Sequence, residues 1–96
     1  MATIPPVALM LSLGGGLDRE ALPELCERAR RALLARGAAG AVLLDVRRAP
    51  ADAVTVDALA RLRLTARRLG YHVRLAHASD ELRSLIAFAG LADVLE

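Results

Sequence analysis

Apolar positions follow two alternating rhythms along this chain. Short apolar runs at Val7 to Leu13, Ala41 to Val46 and Tyr71 to Ala76 are separated by longer segments in which apolar residues recur every three or four positions. The short runs read as strands and the longer segments as amphipathic helices. From about Glu20 to Arg36, Leu22, Leu25, Cys26, Ala29 and Leu33 fall on one side, with Glu24, Glu27, Arg28, Arg31 and Arg36 largely on the other. Pro23 is compatible with this helix because it lies in the first turn, where its missing N–H has no partner to lose. Gly37 supplies the stop.

A second helix opens at Thr55. It buries Val56, Leu59, Leu62, Ala66 and Leu69, exposes Arg61, Arg67 and Arg68, leaves Leu64 off the stripe and ends at Gly70. Ser79 is an N-cap for a third helix carrying Leu82, Leu85, Ile86 and Ala89, which Gly90 closes. Leu91 to Glu96 adds a last amphipathic turn with Leu91, Val94 and Leu95. Strand and helix thus alternate with short connections. Such an order predicts an α/β domain whose mainly parallel sheet, of four strands or fewer, is joined by right-handed crossovers and covered by helices. Ninety-six residues suffice for one core but not two, so residues 1–96 are expected to form a single domain.

The stretch from Asp45 to Leu69 is where strand rhythm passes into helix rhythm. A site is expected in the loop leaving that strand and the helix N-terminus after it, the usual location in open α/β sheets.

Composition narrows the function. The hydrophobic fraction is 55% but aromatics make up only 2%, so the core is built from Leu, Val and Ala, with few rings on which bases could stack. The net charge of +2 comes from arginine alone, because the chain has no lysine. The arginines are interleaved with acids instead of forming a run, which describes a solvated surface and argues against nucleic acid as a partner. Cys26 is the single cysteine, so it has no partner within the chain for a disulfide, and it is expected to act as a small buried hydrophobe. The apolar start is far shorter than the ~20 residues of a membrane span and has no basic leader. A cytoplasmic protein is expected.

Catalytic patterns are missing. Gly14-Gly15-Gly16 has neither the spacing of a dinucleotide loop nor the Gly-Lys-Ser/Thr of a phosphate loop, and reads as a strand exit. His72 and His77 are five apart across one strand and its exit, and point to opposite faces. Ser12, Ser79 and Ser84 have no nucleophile-elbow setting. Asp45, Asp52 and Asp57 cluster around the central loop without calcium-loop spacing. No enzyme activity, metal or cofactor is expected. Thr55 has two readings. Its hydroxyl accounts for itself as a helix cap worth about 1 kcal/mol, and the same place suits a phosphoryl group, with Arg47 and Arg48 near enough to pair with it and Asp52 and Asp57 opposing it.

Four stretches together resemble a STAS domain, the module of anti-sigma factor antagonists and of sulfate transporter tails. Gly16-Leu17-Asp18 with Pro23-Glu24-Leu25, then Val42-Leu43-Leu44-Asp45-Val46, then Ala58-Leu59-Ala60-Arg61-Leu62 through Ala66-Arg67-Arg68-Leu69-Gly70, then Leu82 to Glu96 follow that family's order and spacing. The resemblance implies a non-enzymatic, protein-binding regulator of the antagonist type, docking a kinase-type anti-sigma factor. Its partner surface would be Arg47, Arg48, Asp52, Val54, Thr55, Asp57 and Arg61. In that branch the kinase phosphorylates an Asp-Ser-Ser/Thr-Gly motif at the start of the second helix and thereby weakens the complex. This chain reads Asp52-Ala53-Val54-Thr55, with Val54 in the place of the second serine. Either Thr55 has become the phosphoacceptor, or the switch is lost and binding is constitutive.

The resemblance also admits a STAS subunit of an ABC-type membrane transport assembly, docked on its ATPase. A small-ligand or nucleotide sensor at the Gly14 to Gly16 turn and Asp45 loop is a third reading. The family's additional first strand has no full counterpart in Met1 to Pro6. A sheet edge left open there would suit a partner or a second copy, giving a homodimer.

Overall fold

In the computed structural model, residues 7–14, 17–36 and 40–95 are described. Strand β1 (Val7–Ser12) leads through a 3-10 turn (Arg19–Ala21) into helix α1 (Leu22–Arg36). Strand β2 (Gly40–Asp45) is followed by α2 (Ala53–Arg68), β3 (Tyr71–Ala76), α3 (Asp80–Phe88) and a final 3-10 turn (Ala92–Leu95). The strands pair in parallel in the order β1-β2-β3. The expected α/β class and parallel sheet are therefore present, with three strands among the described residues. The expectation for an additional first strand falls on residues 1–6, outside the described residues.

Two consecutive crossovers run in the same direction across the sheet, and their helices α1 and α2 pack against each other, as expected when successive crossovers share one hand. Leu13, Ala29, Leu33, Val42, Leu44, Val46, Leu59, Leu62, Ala66, Tyr71, Val73, Leu82, Ile86, Leu91 and Val94 form one continuous core. The scarcity of rings leaves a single aromatic inside it. Tyr71 is buried on β3 and its hydroxyl donates to the Leu33 carbonyl of α1 at 3.2 Å. That bond satisfies the phenol and fixes the first helix against the third strand. On the opposite face Met10, Leu43 and Arg74 lie in register across the three strands, and Met10, Ser12, His72 and Arg74 are exposed.

Helix ends follow the residues at them. Gly70 and Gly90 have φ of +86° and +80°, the left-handed conformation that a residue with a Cβ adopts at a cost. After α3 the Leu91 N–H donates to the Ile86 carbonyl at 3.0 Å and the Gly90 N–H to the Ala87 carbonyl at 3.1 Å, the paired bonds of a Schellman stop. Leu91 and Ile86 are both buried beside it. The expected stop at Gly37 lies outside the described residues.

Most boundaries match the apolar rhythm to within a residue or two, and two assignments are corrected. Helix α2 begins at Ala53 and is capped by Asp52, so Thr55 is inside it. Leu85, placed on the buried stripe of the third helix, is exposed, and Ala89 is exposed as well. The buried side of α3 is carried by Leu82 and Ile86, because a nine-residue helix lying at the edge of the core presents only a narrow stripe to it.

Candidate docking surface

The turn that opens α2 is built by Asp52. With extended backbone (φ −139°, ψ 174°), its carboxylate accepts the Thr55 N–H at 2.9 Å and its carbonyl accepts the Val56 N–H at 3.2 Å. A carboxylate here satisfies an N–H that the helix leaves without a partner and sits at the positive end of the dipole. Thr55 is the third helical residue, points inward and is fully buried. Its Oγ1 has no hydrogen-bond partner among the described residues. The hydroxyl expected to cap the helix therefore does no capping, and the cap belongs to the neighbouring acid. Val54, where the family resemblance would set an acceptor serine, is half-buried.

The other expected site residues divide. Asp57 accepts from Arg19 at 2.8 Å and from Arg61 at 3.1 Å, joining the turn before α1 to the exposed side of α2. Arg47 and Arg48 leave β2 on the other side of the loop and line a cleft with Ser12, Leu13, Gly14 and Asp45. There the Asp45 carboxylate accepts the Arg47 backbone N–H at 3.0 Å and lies 3.8 Å from its guanidinium. The seven residues thus occupy two places: Asp52, Val54, Asp57 and Arg61 on the outer side of α2, and Arg47 and Arg48 at the strand exit, with Thr55 turned into the core.

Each clustered aspartate has a structural role, Asp45 in its own turn, Asp52 as a cap and Asp57 in an ion pair. Among the described residues no three His, Cys, Asp or Glu side chains come together as a metal site. His72 and His77 are both exposed, and His77 takes φ +63° as the chain leaves β3. Cys26 is half-buried against the core. Burial pushes its thiol above the ordinary value, outweighing the downward pull of the Thr65 hydroxyl, which suits packing better than redox chemistry.

One feature of this surface escaped the residue pattern. Phe88 is the single phenylalanine of the chain and is 93% exposed. With Leu85, Ser84, Glu81 and Ala51, which precedes α2, it lines an open depression of about 550 Å³. Glu81, Ser84, Leu85 and Phe88 recur at three- and four-residue intervals on the side of α3 turned away from Leu82 and Ile86. The available signal was that second stripe, whose apolar members cannot reach the core together with Leu82 and Ile86. Two large apolar side chains left in water beside polar ones are the kind of surface that meets another protein.

The described residues form a parallel three-stranded sheet with α1 and α2 packed against each other and a second helix capped by Asp52, an arrangement consistent with a STAS fold. The family model described as "Mlab, STAS domain" matches residues 1–96, and the chain belongs to that STAS family. A search of curated proteins gave no significant match. STAS domains are in general non-enzymatic and mediate protein-protein interactions. Among the described residues no helix is long and apolar enough to cross a membrane.

Proposed function

We propose that this chain is a non-enzymatic docking protein that holds a kinase-like, ATP-binding partner constitutively, without a phosphoswitch. The burial of Thr55 carries this reading. A hydroxyl with no solvent access cannot enter a kinase active site unless the first turn of α2 unwinds, and the adjacent acceptor position is Val54. The contact surface would comprise Asp52, Val54, Asp57 and Arg61 of α2 with Leu85 and Phe88 of α3. An aromatic anchor beside polar and charged residues has the composition of an interface centre and its rim.

Two partners fit this description. The first is a kinase-type anti-sigma factor, which the antagonist resemblance implies. The second is the ATPase of an ABC-type membrane transport assembly. The lack of an accessible hydroxyl at the start of α2 favours the second, because a permanent subunit has no need of a release signal there, whereas an antagonist that cannot be phosphorylated at that place would hold its target without relief.

Co-expression of the tagged full chain with each candidate partner, followed by purification with and without ATP, tests the proposal. Retention that ATP leaves unchanged, with no modified residue by mass spectrometry, is the expected result. Phosphate on Thr55 accompanied by release of the partner would overturn it. Phe88→Glu should abolish retention while leaving the fold intact, since that side chain makes no core contact.

A further inference from the structure

Alternation along the strands leaves the sheet with two unlike faces. Val42, Leu44, Val46, Tyr71 and Val73 point into the core with the buried helix residues. On the other face Met10 from β1, Leu43 from β2 and Arg74 from β3 lie side by side. There Met10 is 63% exposed, Ser12, His72 and Arg74 are exposed and Leu43 is half-buried. Among the described residues this face therefore has no covering layer. All-parallel sheets occur almost only with both faces covered, so the bare one calls for an occupant.

We propose that this face pairs with the same face of a second copy of the chain, as an isologous dimer. Leu43 is at its centre. Arg74 neighbours Leu43 across the sheet, about 4.8 Å away, and Asp45 is two residues farther along β2, about 6.7 Å away. A two-fold axis in the plane of the interface, passing through Leu43 midway between those two directions, exchanges them. Arg74 of each copy then lies over Asp45 of the other, giving two ion pairs. The same rotation sets Leu43 against Leu43, seats the long Met10 side chain over the small Ala41 and brings Ser12 to His72. An axis along the strands would instead put Asp45 on Asp45, and one across them Arg74 on Arg74, so charge selects the diagonal. Both partners are available for it. Arg74 has no carboxylate within ion-pair distance among the described residues, and Asp45 accepts the Arg47 N–H through Oδ1, leaving Oδ2 without a donor among them. Strands of the two copies cross at near right angles, one of the preferred packings of face-to-face sheets. Three strands of six residues span only about 15 Å by 20 Å, well short of the about 800 Å² per partner of a stable interface. The dimer is therefore weak and depends on concentration. None of these residues belongs to α2 or α3, so the docking surface stays open on both copies and the two proposals fail separately.

Sedimentation velocity of the full chain between about 10 μM and about 1 mM, the range of weak association, tests the inference. The apparent mass is expected to rise from 10.2 kDa toward twice that value, with concentration-dependent amide shifts confined to the strands. In a mixture of isotope-labelled and unlabelled chains, filtered NOEs between the Met10 and Ala41 methyl groups and between Leu43 methyl groups should appear. Arg74→Glu should weaken association at least about tenfold by setting a carboxylate against Asp45. Met10→Asp should abolish it, and Phe88→Glu should leave it unchanged. All three positions are exposed, and the amide spectrum of each variant verifies its fold. A mass that stays at 10.2 kDa throughout, NOEs that tie residues 1–6 of the same chain to Met10, association that survives Arg74→Glu and Met10→Asp, or its loss in Phe88→Glu would overturn the proposal.

Discussion

Helices α2 and α3 begin with the same capping geometry and differ in what their third residue buries. Asp52 and Ser79 both have extended backbones, and each accepts the N–H of the residue three positions later, at 2.9 Å from Thr55 and 3.1 Å from Leu82. In both helices that third residue turns inward and is fully buried. Leu82 fills its place with hydrocarbon, whereas Thr55 puts a hydroxyl there whose Oγ1 has no partner among the described residues. The geometry of a cap thus dictates which residue faces the core, and side-chain chemistry at that residue has no say in it. A threonine three places after an aspartate looks like a second capping group but is committed to the interior.

A charge at the inward position of α2 is expected to have the largest effect. Thr55→Asp should destabilise the fold by about 3–5 kcal/mol, because the carboxylate would lie buried and unpaired, and denaturant unfolding measures it. A change below about 1 kcal/mol, the range of surface substitutions, would mean that residue 55 reaches water. The same substitution bears on phosphorylation, since a modified Thr55 would carry still more charge into that place.

Making α2 like α3 gives the opposite sign. Thr55→Val keeps the shape and removes the unpaired hydroxyl, so stability should rise by about 1 kcal/mol. A loss of similar size would show that the hydroxyl has a hydrogen-bond partner. Removing either cap should then be equivalent: Asp52→Ala and Ser79→Ala are each expected to cost about 1 kcal/mol. The aspartate should lose slightly more at low salt, because its charge also interacts with the helix dipole.

The smallest effect concerns the far end of α2. Arg63 donates to Asp93 at 2.7 Å, joining α2 to the last 3-10 turn, and this hydrogen bond holds the Asp93 carboxyl below the ordinary aspartate value. A carboxyl with a lowered folded-state pKa contributes stability above its unfolded value, and that contribution is lost as pH falls through the folded one. Wild type and Asp93→Asn should therefore differ by less than about 1 kcal/mol at neutral pH, since the pair is at the surface. The difference should shrink as pH falls below about 4. A difference that is constant down to pH 2 would exclude the ion pair as its source.

Element order, the parallel sheet and the inward positions of Leu22, Leu33, Leu59, Leu62, Leu82 and Ile86 were legible in the sequence, because hydrophobic periodicity directly records which side of a strand or helix avoids water. So were the Ser79 cap and the stops at Gly70 and Gly90, each of which depends on a side chain or its absence at one position. The STAS family was legible from motif order, and the model of that family spans the whole chain. The site was harder to read. Asp52 and Thr55 are both capping residue types, and choosing between them requires knowing where the helix axis points relative to the sheet.

The grouping of residues around the loop was also decided in three dimensions. Arg47 and Arg48 are near Asp52 along the chain, yet they line a cleft with Ser12 from β1, which only strand pairing brings next to Asp45. Phe88 likewise reads as one more apolar helical position, and its exposure follows from α3 lying at the margin of the core. The elements and their inward faces follow from spacing within each segment and so can be read from the residues alone. The burial of Thr55, the cleft that the arginines of the loop share with β1 and the exposure of Phe88 depend instead on how separate segments pack.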